Sequence, residues 1–293
     1  MLTILIGALG LAATQPPQPA DPHEAINPLY KSLLSPGYEV GPDIRAKFLT
    51  PSMPDGLDAA KQKAVITKLI GNDYSYAEFT RKSGVAPQIL KVWNVQPCDP
   101  KAPSRGVDVW FLTYGDLKVL DTPKFLDRLL IAGRGEGKAI GITKEDLAKR
   151  KIALADEKHE GFGLIEFDFL EKVRLKATGR AFWSRTNESA VIACEIDPRF
   201  KDDTQFPNQW HSLNKTGGAQ KVGPATSWSG AGVYLKITNL KEPAGALFIE
   251  QHVIFVEPTG WFDGENLLGS KLPFAVQRQV RNIRSEWSKA SEK

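Results

Sequence analysis

Glu250 and His252 stand two apart in "GALFIEQHVIFVEP", a run that is otherwise almost wholly apolar. Side chains alternate across a strand. Leu247, Ile249, Gln251, Val253 and Phe255 therefore share one face, and Phe248, Glu250, His252, Ile254 and Val256 the other. Both faces are largely apolar, so the strand is expected to be covered on both sides. A carboxylate and an imidazole buried there need a partner or a ligand. Two readings are open. One is an internally satisfied group, such as a Glu–His pair or Glu250 with Lys236 of the neighbouring strand. The other is a polar anchor, or an acid/base pair, in a ligand pocket.

Other candidates are weaker. In "GLIEFDFLEK", Glu166 and Asp168 point one way and Ile165, Phe167 and Phe169 the other. Two carboxylates so spaced suit general acid/base work or a hard cation, and equally a solvated outer face. His211 sits beside Trp210 in a polar stretch. None of the four histidines (His23, His159, His211, His252) pairs with another at i, i+3 or i+4, so no metal site is assigned. "AGRGEGKAIGITKED" (132–146) has Gly137-Lys138. It carries Ala132 where a phosphate-binding loop has its first glycine and Ala139 where it has Ser or Thr. No G-x-S-x-G occurs and neither cysteine adjoins a histidine, so no catalytic residue and no cofactor is assigned. Trp261 and Phe262, set between Gly260 and Gly264, complete the candidates, either capping a core or forming a gate or interfacial contact.

The elements that must position these residues follow from periodicity. "LDAAKQKAVITKLIG" reads as a helix ended by Gly71. Residues 88–96 and 106–114 alternate as a hairpin. "DTPKFLDRLLIA" and "ITKEDLAKR" read as helices with Asp121 or Thr122, and Thr143, as caps. Strands follow in 163–184, 188–197, 229–240 and 245–258, and 198–227 reads as a long polar loop. Leu272, Val276, Val280, Ile283 and Trp287 then form the apolar seam of a long helix, with Arg278, Arg281 and Arg284 expected on its outward side. Strands grouped together argue for an antiparallel α+β fold. Residues 1–14 read as a signal peptide, 15–56 as a proline-rich extended segment, and 57–293 as one α+β domain.

From the hairpin onward, over roughly 85–290, this element order resembles the START-like, or helix-grip, superfamily, with "SKLPFAVQ" similar to the entry of its last helix. The resemblance implies a curved antiparallel sheet wrapped around a long C-terminal helix, and an apolar small molecule or lipid in the space between them. It rests on order alone and carries over no binding residue. On that fold Glu250 and His252 are expected as polar anchors, and Trp261 and Phe262 close one end of the cavity. The alternatives are an extracellular or envelope interaction protein whose cavity is filled by its own side chains, and an acid/base enzyme using Glu250 with His252.

Charge narrows the partners. The net charge is +4, and the segment from Leu267 holds six basic residues against two acidic, which accounts for the whole surplus. A nucleic-acid partner is not expected at that charge. Contact of the arginine face with an anionic membrane surface is the lesser expectation. Leu2–Ala13 is an apolar run of signal-peptide length, too short to span a bilayer, so a secreted or periplasmic location is expected. Cys98 and Cys194 could pair in such a compartment, and the spacing does not decide it.

Overall fold

The computed structural model describes residues 21–96, 102–122, 125, 137–216, 219–262 and 265–291. The signal-peptide reading, Cys98 and most of the helix expected at 121–132 lie outside them.

The described residues start with two short helices, α1 (Pro22–Ile26) and α2 (Pro28–Leu34), and a hairpin of β1 (Tyr38–Gly41) and β2 (Ile44–Ala46). Over 21–56 this corrects the extended segment expected for 15–56. The prolines and polar residues that suggest a linker are the helix starts. Asp21 caps α1, Asn27 caps α2, and each helix has proline in its first turn. Next come α3 (Ala59–Ile70), capped by Asp58, and α4 (Tyr76–Phe79), closed by a Ser75–Glu78 capping box.

The remaining strands build one antiparallel sheet. They are β3 (Gln88–Asn94), β4 (Ser104–Tyr114), β5 (Lys138–Gly141), β6 (Glu160–Phe169), β7 (Val173–Arg185) and β8 (Ser189–Ile196). After them come β9 (Gln209–Thr216), β10 (Ala219–Val222), β11 (Thr226–Ser227), β12 (Ala231–Asn239) and β13 (Ala246–Val256). The main order is β5-β6-β7-β8-β12-β13-β4-β3, and β9 pairs with the first residues of β7 while β10 and β11 pair with β9. Helix α5 (Lys144–Lys149) lies between β5 and β6. Two helices end the chain, the single-turn α6 (Leu267–Ser270) and the twenty-residue α7 (Leu272–Ser291). The stretch 198–227, expected as loop, holds β9 to β11. Its "QWHSLNKT" mixes polar residues onto both faces, so it lacks the alternation that marks a half-buried strand.

Both faces of the sheet are covered. On the inner face Leu247, Ile249 and Phe255 join a cluster with Leu272, Val276, Val280, Ile283 and Trp287, which are buried along α7. Each such side chain contributes about 1.5–3 kcal/mol on burial. On the outer face Ile254 and Val256 pack with Leu29, Tyr30 and Leu33, while Phe248 packs with Ile66, Ile70 and Met53. Residues 21–56 thus form a strap across the back of the sheet. Gly232 permits the close approach: a Cβ there would stand 3.1–3.2 Å from Phe48, Tyr38 and Leu33. The helix-grip arrangement expected from element order is the one found, an α+β fold with a long C-terminal helix across an antiparallel sheet.

Candidate functional site

Helix α7 sits directly on the β3–β4 edge of the inner face. Arg284, expected on the outward side, is instead buried and fastens the helix there. Its guanidinium donates to the carbonyls of Leu112 and Ala86 at 2.7 Å, Pro87 at 3.1 Å and Gly84 at 3.3 Å. Burial, and then the charge of Arg281, lowers its pKa to about 10, so it stays charged at neutral pH. The correction has a plain cause: four carbonyls of a neighbouring turn and strand are in reach, which helical periodicity cannot reveal.

Beyond that edge the sheet leaves the helix. Residues of β4 and β6 line the same hollow although five strand spacings, about 24 Å, separate them in a flat sheet, so the sheet is bent around it. The hollow has a volume of about 1040 Å³, at the upper end of small-molecule sites. Its walls are Val109, Val253, Phe255, Val233, Leu235, Ile192, Ile165 and Phe167 from the sheet and Leu272, Ala275, Val276 and Ile283 from α7. Ile165, Phe167 and Phe169 thus share the inward face that their alternation predicts. Toward the outside stand Phe274 and Ile140, 73% and 56% exposed, with Lys271 and Arg278.

The sequence reading missed the polar side chains in this wall. Gln279 of α7 donates from Nε2 to Oε1 of Gln251 on β13 at 3.1 Å, joining helix and sheet in the wall of the hollow. A signal was present: Gln251 is the polar residue among Leu247, Ile249, Val253 and Phe255 on one strand face.

Trp261 and Phe262 are buried, 2% and 5% exposed, so the rings cap the core and present no interfacial surface. Trp261 is ringed by Phe169, Phe255, Trp210, Trp228 and Phe262 at centroid distances of 5.7–6.2 Å. It lines the large hollow and also a second one of about 800 Å³, where Arg105 and Glu257 pair at 2.6 Å. Phe262 lines the second hollow, and Trp261 is a wall between the two.

Glu250 and His252 are elsewhere. They belong to the outer face, under the strap, and neither lines either hollow, which corrects their expected place as cavity anchors. The Glu250 carboxylate accepts the backbone N–H of Ser52 and Met53 at 2.7 and 2.9 Å and the Trp110 indole N–H at 3.1 Å. His252 Nδ1 meets Asp108 at 2.8 Å, and Asp108 also accepts the Trp93 indole N–H at 2.8 Å. Lys236 lies opposite Glu250 in register, yet its fully buried ammonium pairs with Asp21 at 2.9 Å and Asp55 at 3.3 Å. Burial would raise the Asp55 pKa, but hydrogen bonds from Ser189 and the Lys236 charge hold it below the ordinary carboxylate range. His23 bridges the hydroxyls of Ser184 and Ser189, both at 2.8 Å. Ser189, His23 and Asp55 resemble a hydrolytic triad in type only. Both His23 nitrogens face serines, and none of the group reaches either hollow. The polar layer fastens the strap.

The remaining candidates are half-buried or exposed, and Asp168 and Cys194 also line the large hollow. Asp168 pairs with Arg174 at 2.8 Å, which lowers its pKa, and Glu166 lies opposite Lys176 in the strand register. His211 on β9 makes a ring hydrogen bond to the Gly223 carbonyl at 3.0 Å. Cys194 faces the large hollow. Of the glycine-rich stretch, Lys138–Gly141 forms β5 at the sheet edge.

No protein-family model matches this chain, and no curated protein matches it. Among solved structures it is similar to the human StarD13 (DLC2) lipid transfer and protein localization domain, at 8% identity over 68% of this chain and 90% of that one, with a TM-score of 0.39. Human STARD10 is 11% identical over 85% and 86% of the two chains, with a TM-score of 0.38. A STAR-related lipid transfer protein fragment from Xanthomonas axonopodis is 7% identical over 68% and 98%, with a TM-score of 0.40. At such scores these likenesses carry no argument, and the architecture stands on the chain's own strand order and terminal helix.

Proposed function

We propose that this protein binds an apolar small molecule or lipid in the hollow between the sheet and α7. The observation that carries the reading is a space of about 1040 Å³ whose walls are mainly aliphatic and aromatic. The alternative in which side chains fill that space is disfavoured by the same volume. The acid/base alternative loses its site, because Glu250 and His252 are engaged with Ser52, Met53, Trp110 and Asp108 beneath the strap. A secreted or periplasmic location belongs to the same proposal and rests on the apolar run Leu2–Ala13. Fractionation of cells expressing the full chain tests it, and retention in the cytoplasm would count against it.

The test of binding is native mass spectrometry of the protein purified without detergent, followed by organic extraction. An adduct that appears in the extract is expected. Ala275→Trp, which places an indole in the wall of the hollow, is expected to lose the adduct while keeping its fold. Wild-type protein that emerges without an adduct and takes up no 1-dodecanol defeats the proposal.

A further inference from the structure

The glutamine pair inside the hollow deepens the binding reading, and rests on it. A primary amide carries one carbonyl and two N–H donors. One N–H of Gln279 is used on the Gln251 carbonyl at 3.1 Å. Apart from the second Gln279 N–H, that leaves the Gln251 NH₂ group and the Gln279 carbonyl. Turning both amides over exchanges their roles and leaves the same remainder, one NH₂ and one carbonyl. Both side chains are half-buried and line the hollow. The neighbouring wall residues Val253, Leu235, Ala275 and Val276 have no side-chain hydrogen-bonding group to offer them, and the polar Asn282, at i+3 from Gln279 on α7, has an interaction of its own.

We infer that Gln251 and Gln279 form a recognition point for a neutral group that both donates and accepts, a hydroxyl above all, on an otherwise apolar ligand. The NH₂ meets the ligand oxygen and the carbonyl takes its proton. A full charge is a poor fit at this point, because two amides supply only partial charges against its desolvation. The charged lining residues are paired or lie outward: Arg180 pairs with Glu160 and Glu195, Asp168 with Arg174 and Lys271 with Glu171, and Arg278 is on the outer part of α7 beside the exposed Phe274. Gln279 lies five residues on from Phe274, about 7.5 Å along the helix axis.

The experiment compares three probes delivered from cyclodextrin: 1-dodecanol, which donates and accepts, dodecyl methyl ether, which only accepts, and dodecane, which does neither. Binding is read by tryptophan fluorescence in wild type and in Gln251→Leu/Gln279→Leu. Taking the ratio of dissociation constants between the two proteins cancels each probe's affinity for water. The double variant is expected to weaken 1-dodecanol about tenfold, the effect of two modest hydrogen bonds, to weaken the ether less, and to leave dodecane unchanged or tighter. Equal weakening of all three probes would assign the pair a purely structural role and overturn the inference. So would unchanged affinities for all three, with the carrier reading left standing. Failure of wild type to bind any probe removes both. If the double variant does not fold, Gln251→Met, close in volume, is read in the same way.

Discussion

Burial under the strap sets how individual residues respond to protons, and His23 shows it most directly. Both ring nitrogens are held by Ser184 and Ser189, and burial lowers the pKa to about 4 from an ordinary 6.5. Asp21 and Asp55 pull it up and Lys236 pushes it down, but burial is the larger effect. The unfolded chain therefore takes the proton first as the pH falls. The stability contributed by the neutral ring is fully present above pH 6.5, is lost progressively down to about pH 4, and changes no further below that. The loss is at most about 3 kcal/mol. In urea denaturation series, the stability gap between wild type and His23→Gln should narrow as pH drops from 7 to 4. A gap that stays constant across this window would falsify the buried, neutral assignment. That the outer face of β13 needed partners was legible in the sequence, since Glu250 and His252 interrupt an apolar run. Their partners were not legible, because Asp108, Ser52 and Met53 arrive from strands and loops more than a hundred residues away.

At the scale of elements, the two sides of the sheet are fastened differently. The strap is held by charges and by apolar residues of α2 and the β1–β2 hairpin, while α7 is held by its seam and by Arg284. A planar guanidinium serving four carbonyls cannot be replaced by a single ammonium. Arg284→Lys is therefore expected to destabilise the protein by about 2–3 kcal/mol, seen as a lower urea midpoint at unchanged slope. An unchanged midpoint would show that the seam alone holds the helix. The seam itself was readable from Leu272 to Trp287, as were the alternating strands, because in both cases one period dominates the pattern. The strap was not, since Pro22, Pro28, Asp21 and Asn27 serve as caps and helix starts but read in sequence as loop-forming residues. Nor could periodicity say which face of β13 looks into the hollow. That depends on where the strap lies, and it is why Gln251 was passed over for its two neighbours.

For the whole molecule, the bent sheet encloses with α7 a space large enough to need an occupant. At about 24 cal/mol per Å³, a dry void of this volume would cost on the order of 25 kcal/mol, more than the 5–15 kcal/mol that holds a typical domain together. The hollow opens to solvent past Phe274, and on the proposed reading an apolar ligand takes the place of water against its aliphatic wall. Water against such walls regains little, so a ligand that replaces it should stabilise the fold by mass action, about 2.7 kcal/mol at a hundred times its dissociation constant. Protein stripped on a hydrophobic resin should then melt roughly 5–10 °C below the same protein resupplied with 1-dodecanol at that excess. The Ala275→Trp protein, with part of the space occupied by its own indole, should show a much smaller shift. Equal melting of stripped and resupplied wild type would mean that the hollow takes up no apolar molecule, and that the curvature of the sheet serves something other than carriage.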